Sequence, residues 1–353
     1  MKNIILFSGS FDPIHNGHIS IINFVKEKIK DSSFYIIPTK KHRWKKSFES
    51  IYHRLKMIKL ALEDDKTTHI SYYEIKKKNN KPNYTIDTIN HFLNIFPDKK
   101  IYFLIGSDIL NEFKKWEKYN EIIKKVNLIC IERPGYNINS NESILNLTNP
   151  IVYKKNIEIS SSMIRNLQKI DVPKKVLAYI TNNKLYFIKK IKKYYSKKRF
   201  KHALSVALLA YEIAEKNKIE DCYKCYIAGL LHDITKKISF KNQKIIINKI
   251  KKEEESEKNT NTSNIDRNLY HQITAKYIAK KNFKITDEYI LEAIRFHTTG
   301  KENFSPIGKI LFIADKLDPL RNIKDSEKYI KESFKNYDNI YEIIRKKISA
   351  ARY

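Results

Sequence analysis

Two groups of residues have the types and spacing to do chemistry. The first is the run Gly9-Ser10-Phe11-Asp12-Pro13-Ile14-His15-Asn16-Gly17-His18. A strand-like stretch, Asn3 to Ser8, leads into it, and a helical pattern from His18 to Lys30 follows. His15 and His18, three residues apart, share one face where that helix starts. A helix start offers free N–H groups and a positive dipole end, so it attracts phosphate. Gly9 lets the backbone approach a nucleotide closely. Imidazoles there can donate hydrogen bonds to charge developing on a transferring phosphorus. A pair of surface histidines on a tight turn is the plain alternative. The coincidence of strand, glycine, histidine pair and helix start argues against it.

The second group is His202, His232-Asp233, His271, His297 and Asp315. His232-Asp233 ends an apolar helical run from Tyr226 to Leu231, and His202 opens an earlier helix. Asp315 lies inside the apolar helix Ile310 to Lys316. An aspartate flanked by Phe312, Ile313 and Leu317 is costly to bury unless paired or metal-bound. Imidazoles and carboxylates without thiolate suit Fe, Mn, Zn or similar ions. A lone His-Asp pair is most often structural, so spacing alone does not fix a ligand set. Cys222-Tyr-Lys-Cys225 is a single CxxC without a second pair and reads as structural.

The elements that must position these residues differ between the halves. Up to about residue 187, short apolar runs alternate with helical patterns. Strands are expected near 3–8, 34–37, 70–75, 101–105 and 126–131. Helices are expected near 51–63, 84–96 and 121–125. This alternation predicts an α/β unit with a parallel sheet, whose ligands sit beyond the carboxyl ends of the strands. Ser8-Gly9-Ser10 and Gly106-Ser107-Asp108 are glycine-marked strand exits of that kind. A dense basic run from Lys189 to Arg199 then marks a change, and long helical patterns follow, with a polar loop near 251–268. The expected division is 1–187 as α/β and 188–353 as all-α.

Composition bounds the rest. The chain has 353 residues, 42% hydrophobic and 12% aromatic, enough for two cores and against global disorder. No apolar run is long enough for a membrane span. The N-terminus lacks a secretory pattern, and three cysteines make no disulfide framework, so a reducing cytoplasm is expected. The net charge is +30, but only ten of the 69 basic residues are arginine and the lysines are scattered. Arginine is the usual bidentate reader of bases and phosphates, so a nucleic-acid partner is not favoured, although anionic substrates would be drawn in. Glycine is scarce, at seven residues, so each is expected where a Cβ does not fit.

The first run resembles the HxGH signature of nucleotidyltransferases. Residues 2 to 187 resemble bacterial nicotinate-mononucleotide adenylyltransferases. The matching segments are Tyr84-Thr85-Ile86-Asp87-Thr88, Ile105-Gly106-Ser107-Asp108, Lys115-Trp116, Glu132-Arg133-Pro134-Gly135-Tyr136 and Ile159-Ser160-Ser161-Ser162-Met163-Ile164-Arg165. The resemblance implies a Rossmann-like nucleotidyltransferase sheet that joins ATP, with Mg²⁺, to nicotinate mononucleotide. It implies that His15 and His18 hold the phosphates and stabilise the transition state, with Ser161 and Arg165 cradling them. Gly9 and Ser10 would line the triphosphate, and Phe11 and Gly106 join the substrate-binding set. Trp116 would stack on the pyridine ring beside Tyr84, Thr85 and Arg133, and Asp108 would hold the nucleotide side. The family's Pro-Pro-His-Lys after the second strand is here Pro38-Thr39-Lys40-Lys41-His42-Arg43, so that loop departs from the pattern.

Residues 190 to 345 resemble the HD phosphohydrolase superfamily, in particular its symmetrical dinucleoside-tetraphosphate hydrolases. The carrying segments are Leu230-Leu231-His232-Asp233-Ile234-Thr235-Lys236, Glu292 to Gly300, and Ile313 to Pro319 with Arg321. That resemblance implies two metal ions, iron by family. His202, His232, Asp233 and Asp315 would bind one, His271 and His297 the other, and Asp233 would bridge. Lys236, Arg295 and Arg321 would bind the phosphate chain of diadenosine tetraphosphate. Asp318 stands where glutamate is expected. The implied whole is a bifunctional enzyme, and a homo-oligomer is compatible with it. The alternatives are an HD half that acts on another nucleotide or only regulates, and, ranked lower, a basic nucleic-acid-binding protein.

Overall fold

The computed structural model describes residues 2–40, 49–77, 83–110, 112–132, 146, 148, 150–154, 157–255 and 266–350. It divides into two compact units. One comprises Met1–Arg165 with Asp171–Asn183, and the other Asn166–Ile170 with Lys184–Tyr353.

The first unit is built on six strands: β1 (Asn3–Gly9), β2 (Ser32–Pro38), β3 (Thr68–Ile70), β4 (Lys100–Gly106), β5 (Asn127–Glu132) and β6 (Ile151–Lys154). Their order is β3-β2-β1-β4-β5-β6 and every pairing is parallel. The central strands read as unbroken apolar runs because both faces are covered. Ile4 to Leu6 and Ile101 to Ile105 are buried throughout. Helices α1 (Asn16–Lys28), α2 (Ile51–Ala61) and α3 (Thr85–Ile95) follow β1, β2 and β3. Ile86, Ile89 and Phe92 of α3 pack in one core with Leu6, Phe103 and Leu128. The strand order reverses between β1 and β4, which opens a crevice at their carboxyl ends. Those ends are Gly9 and Gly106.

Two local expectations are corrected. The stretch 70–75 is not one strand. β3 ends at Ile70, and Tyr73–Lys76 form a helical turn that stacks Tyr73 on His91, with ring centroids 3.8 Å apart. Its aromatic content, read as strand, packs against a helix. β6 was not expected. It is an edge strand whose Ile151 and Val152 are exposed, so it carries no core periodicity to read.

Among the described residues the second unit has no strand. Its site is carried by α4 (Lys197–Lys216), α5 (Cys222–Leu231), α6 (Tyr270–Phe283), α7 (Glu288–Phe296) and α8 (Pro306–Lys316). α4 starts five residues before His202, so His202 lies within the helix rather than at its start. The basic residues Lys197 and Lys198 form a solvated first turn. α4 and α5 meet backbone to backbone at Gly229, where a Cβ would lie 2.6 Å from Ala207 Cα. Cys222 and Cys225 are free thiols in the first turn of α5. No described helix is long and apolar enough to cross a membrane.

Candidate active sites

The crevice beyond β1 and β4 is a cleft of about 380 Å³. Gly9, Ser10, Phe11, His15, His18, Thr85, Gly106, Asp108, Trp116, Ser161 and Arg165 all line it. Gly9 lies so close to the ring of Phe11 that a Cβ would come within 3.2 Å of it. His15 precedes α1 and His18 lies in its first turn, and their rings stack with centroids 3.6 Å apart. The His15 backbone N–H donates to His18 Nδ1 at 3.2 Å. In a neutral ring that leaves the proton on His18 Nε2, making it a donor. Gly17 packs this turn against the chain beyond β6, since a Cβ there would meet the methyls of Ile157 and Ile159 at 2.8 Å.

Ser161 and Arg165 begin and end a single helical turn, Ser161–Arg165. Both brace the β1–α1 turn: Ser161 Oγ donates to Pro13 O at 2.9 Å and Arg165 Nη1 to Asp12 O at 2.6 Å. Trp116 lines the cleft while packing on Phe103 and Phe113, with centroids 6.0 and 5.1 Å away. Tyr84 precedes α3, is 37% exposed and does not line the cleft. Arg133, and His42 and Arg43 of the variant loop, lie outside the described residues.

Sequence reasoning missed Arg54. It is 1% exposed and donates to three carbonyls, Glu49 O at 3.1 Å, Ser10 O at 2.7 Å and Thr39 O at 2.9 Å. One guanidinium thus ties the exits of β1 and β2 to the start of α2. A charged residue among Met57 and Ile58 of an amphipathic helix was the available signal.

In the helical unit, His202, His232, Asp233, His271, His297 and Asp315 converge. Asp233 is 1% exposed and faces two ways. Its Oδ2 lies 3.6 Å from His232 Nε2 and 4.0 Å from His202 Nε2. Its Oδ1 lies 3.4 Å from His297 Nε2 and 3.8 Å from His271 Nε2. Asp315 Oδ1 joins the first side, 3.2 Å from His202 Nε2 and 3.7 Å from His232 Nε2. Donors about 2.1 Å from a common ion lie roughly 3–3.5 Å apart, so these spacings suit two ions sharing Asp233.

The protonation pattern fits as well. His232, His271 and His297 each direct Nδ1 at a main-chain carbonyl three residues back, Gly229 O at 2.7 Å, Asn268 O at 2.9 Å and Ile294 O at 2.8 Å. Their Nε2 lone pairs are left to the interior. His232 Nε2 has no hydrogen-bond partner, and His271 and His297 bring their Nε2 atoms within 3.3 Å. Burial lowers His232 to about 4 and His271 to about 3, so both are neutral donors at neutral pH. Burial would raise Asp233, but His232, His297 and Lys236 hold it well below the ordinary carboxylate range. Burial likewise opposes ionisation of Asp315, and Lys316 and His202 overcome it. His202 differs: burial lowers it, yet Asp315 and Asp318 push it up to about 9. An ion bound there must displace that proton.

Cations ring the cluster. Lys236 Nζ lies 2.8 Å from Asp233 Oδ1, an ion-pair contact although no well-aligned hydrogen bond to either Asp233 oxygen forms. Arg321 Nη2 donates to Asp315 Oδ1 at 2.7 Å and faces His202 Nε2 at 3.3 Å. Arg295 places its guanidinium carbon 5.0 Å from the centroid of the Phe296 ring. Arg199 was missed; its Nη1 lies 3.6 Å from Asp233 Oδ2. Its position three before His202 on one helix face was the signal.

A nucleotide-binding sheet joined to a helical cage of imidazoles and carboxylates defines a two-part nucleotide enzyme class. Residues 6–167 match the cytidylyltransferase-like family and residues 199–320 the HD domain. A Mycoplasma genitalium protein named "Probable nicotinate-nucleotide adenylyltransferase/Ap4A hydrolase" is 36% identical over 91% of this chain and 88% of its own length. A Mycoplasma pneumoniae protein of the same name is 29% identical over 90% of this chain and 88% of its own. A Staphylococcus epidermidis protein named "Probable nicotinate-nucleotide adenylyltransferase" is 34% identical over 52% of this chain and 97% of its own. The chain belongs to the family that joins a nicotinate-nucleotide adenylyltransferase and an Ap4A hydrolase in one polypeptide.

Proposed function

We propose that this chain is a bifunctional enzyme with its activities divided near residue 187. The N-terminal part transfers AMP from ATP to nicotinate mononucleotide, a step of NAD biosynthesis. The observation that carries this is the stacked His15–His18 pair at the point where the strand order reverses. A phosphate oxygen of the mononucleotide attacks the α-phosphorus of ATP. One P–O bond forms, the bond to the β-phosphate bridge breaks, and pyrophosphate leaves. No protein nucleophile is required, so catalysis is positioning and charge stabilisation. His18 Nε2–H donates to the charge growing on the phosphate, with His15 beside it. Ser161 and Arg165 keep the β1–α1 turn in place, and Arg165 presents its charge to the cleft. Mg²⁺ accompanying ATP would neutralise the triphosphate.

The C-terminal part hydrolyses diadenosine tetraphosphate to two ADP, water cleaving the central phosphoanhydride. The carrying observation is that the two oxygens of Asp233 face two separate imidazole pairs. Two divalent cations, iron in our reading, would supply Lewis-acid charge at the scissile phosphorus. Lys236, Arg321 and Arg199 hold the phosphate chain at the rim. The protein acts in the cytoplasm on small nucleotides.

The test is a nucleotide panel on the purified chain. Pyrophosphate is expected with ATP and nicotinate mononucleotide. ADP is expected from diadenosine tetraphosphate only when metal is retained, and disappears with chelator. Failure of either product sinks the corresponding half.

A further inference from the structure

We infer that Asp318 is the positioning residue for one ion site of the cage, holding His202 so that its Nε2 lone pair faces His232, Asp233 and Asp315. This rests on the two-cation reading above. Asp318 is fully buried, and its Oδ2 lies 2.6 Å from His202 Nδ1. Its other oxygen is fixed by Ser205 Oγ at 2.5 Å and by Leu320 N at 3.2 Å. The carboxylate is therefore held by one side-chain and one main-chain donor besides the imidazole it serves. Arg321 Nη2 faces His202 Nε2 at 3.3 Å. Once a cation takes the Nε2 lone pair, Nδ1 is the one ring nitrogen left with a proton, and Asp318 Oδ2 is the acceptor beside it.

The reason His202 needs such a partner is its place in the helix. His232 and His297 follow the last residues of α5 and α7, where the final four carbonyls have no intrahelical partner. Gly229 O and Ile294 O belong to those sets and take the Nδ1 protons. His271 uses Asn268 O, in the turn before its own helix. His202 lies in the interior of α4, where the carbonyls are already used by the helix. A side chain from elsewhere must accept its proton, and Asp318, 116 residues away, does so. A carboxylate partner also makes the opposite nitrogen a better donor to a cation.

The experiment is a cobalt(II) titration of the full chain in chelator-buffered solution, followed by absorption and by bound metal per chain. Adenylyl transfer on the same samples reports the integrity of the other unit. The wild type is expected to bind two ions. Asp318→Ala should bind one at wild-type affinity and the other about 10–100-fold more weakly, with an altered spectrum. Asp318→Asn, which keeps an acceptor but loses the charge, should fall between. Should Asp318→Ala not fold, Asp318→Asn and Ser205→Ala decide, the latter with a few-fold loss at the same site. Both ions held by Asp318→Ala at wild-type affinity with an unchanged spectrum, or both weakened equally, would overturn the inference while leaving the two-cation reading in place. A wild type that binds no cobalt overturns both.

Discussion

At the nucleotide cleft the working side chains come from turns and helix beginnings beyond the carboxyl ends of the central strands β1 and β4, and they border a cleft of about 380 Å³. In the helical unit they come from the interiors and ends of α4, α5, α6, α7 and α8 and close on one another. The cleft positions donors by bracing backbone: Arg54 holds Ser10 and Thr39, and Arg165 holds Asp12. The cage positions donors by fixing ring tautomers, through three carbonyls and Asp318. In the functions proposed above, both handle charge at phosphorus. One does it with hydrogen-bond donors whose protons stay with the protein, the other with lone pairs made available to ions.

This contrast predicts that each site can be disabled alone. The largest effect is expected for Asp233→Ala. Losing the carboxylate between the two imidazole pairs should cut hydrolysis at least ~10³-fold and bound metal below one per chain, with adenylyl transfer unchanged; metal analysis and both assays on one sample check it. His18→Ala should do the reverse. Adenylyl transfer is expected to fall ~10²–10³-fold in kcat, the effect of removing one donor to a transition-state oxyanion, while metal content stays at the wild-type level. Loss of both activities in either variant would break the comparison.

Two smaller effects sharpen it. Gly229→Ala forces a Cβ onto the Ala207 backbone, and unlike a side-chain clash this has no flexible partner to yield. A destabilisation of about 3 kcal/mol is expected, seen as a lowered denaturant midpoint in the helical signal. Glu74, 5% exposed and bonded to Thr88 Oγ1 at 3.1 Å, is pushed by burial up to about 6. Its folded value lies above its unfolded one, so its stabilising contribution is present below about pH 4.5 and is lost as pH rises through about 6. Glu74→Gln should therefore be more stable than wild type by about 2 kcal/mol above pH 7 and equal to it below pH 4.5. Tryptophan fluorescence reads this unit through Trp116, which packs against its core. Identical midpoints at pH 8 would refute it.

Legibility from sequence followed the same division. The buried strands and the glycine-marked exits at Gly9 and Gly106 were readable because apolar runs and missing Cβ atoms leave local traces. The edge strand at Ile151–Lys154 left none. The six converging side chains of the cage are spread from His202 to Asp315, so only resemblance grouped them. Asp318 looked like a conservative replacement of glutamate, and nothing local could tie it to His202. Arg54 was likewise visible only as a charge on a helix, because its three acceptors come from distant turns.

Anchoring His232 and His297 to carbonyls of the last helical turn has a thermal consequence. Those turns are where helices fray. Each opening of Gly229 to Asp233, or of Ile294 to His297, frees the ring to rotate and withdraws its Nε2 atom from the cage. Heat inactivation of hydrolysis should then keep pace with amide hydrogen exchange in these two short segments, well before the helices themselves melt.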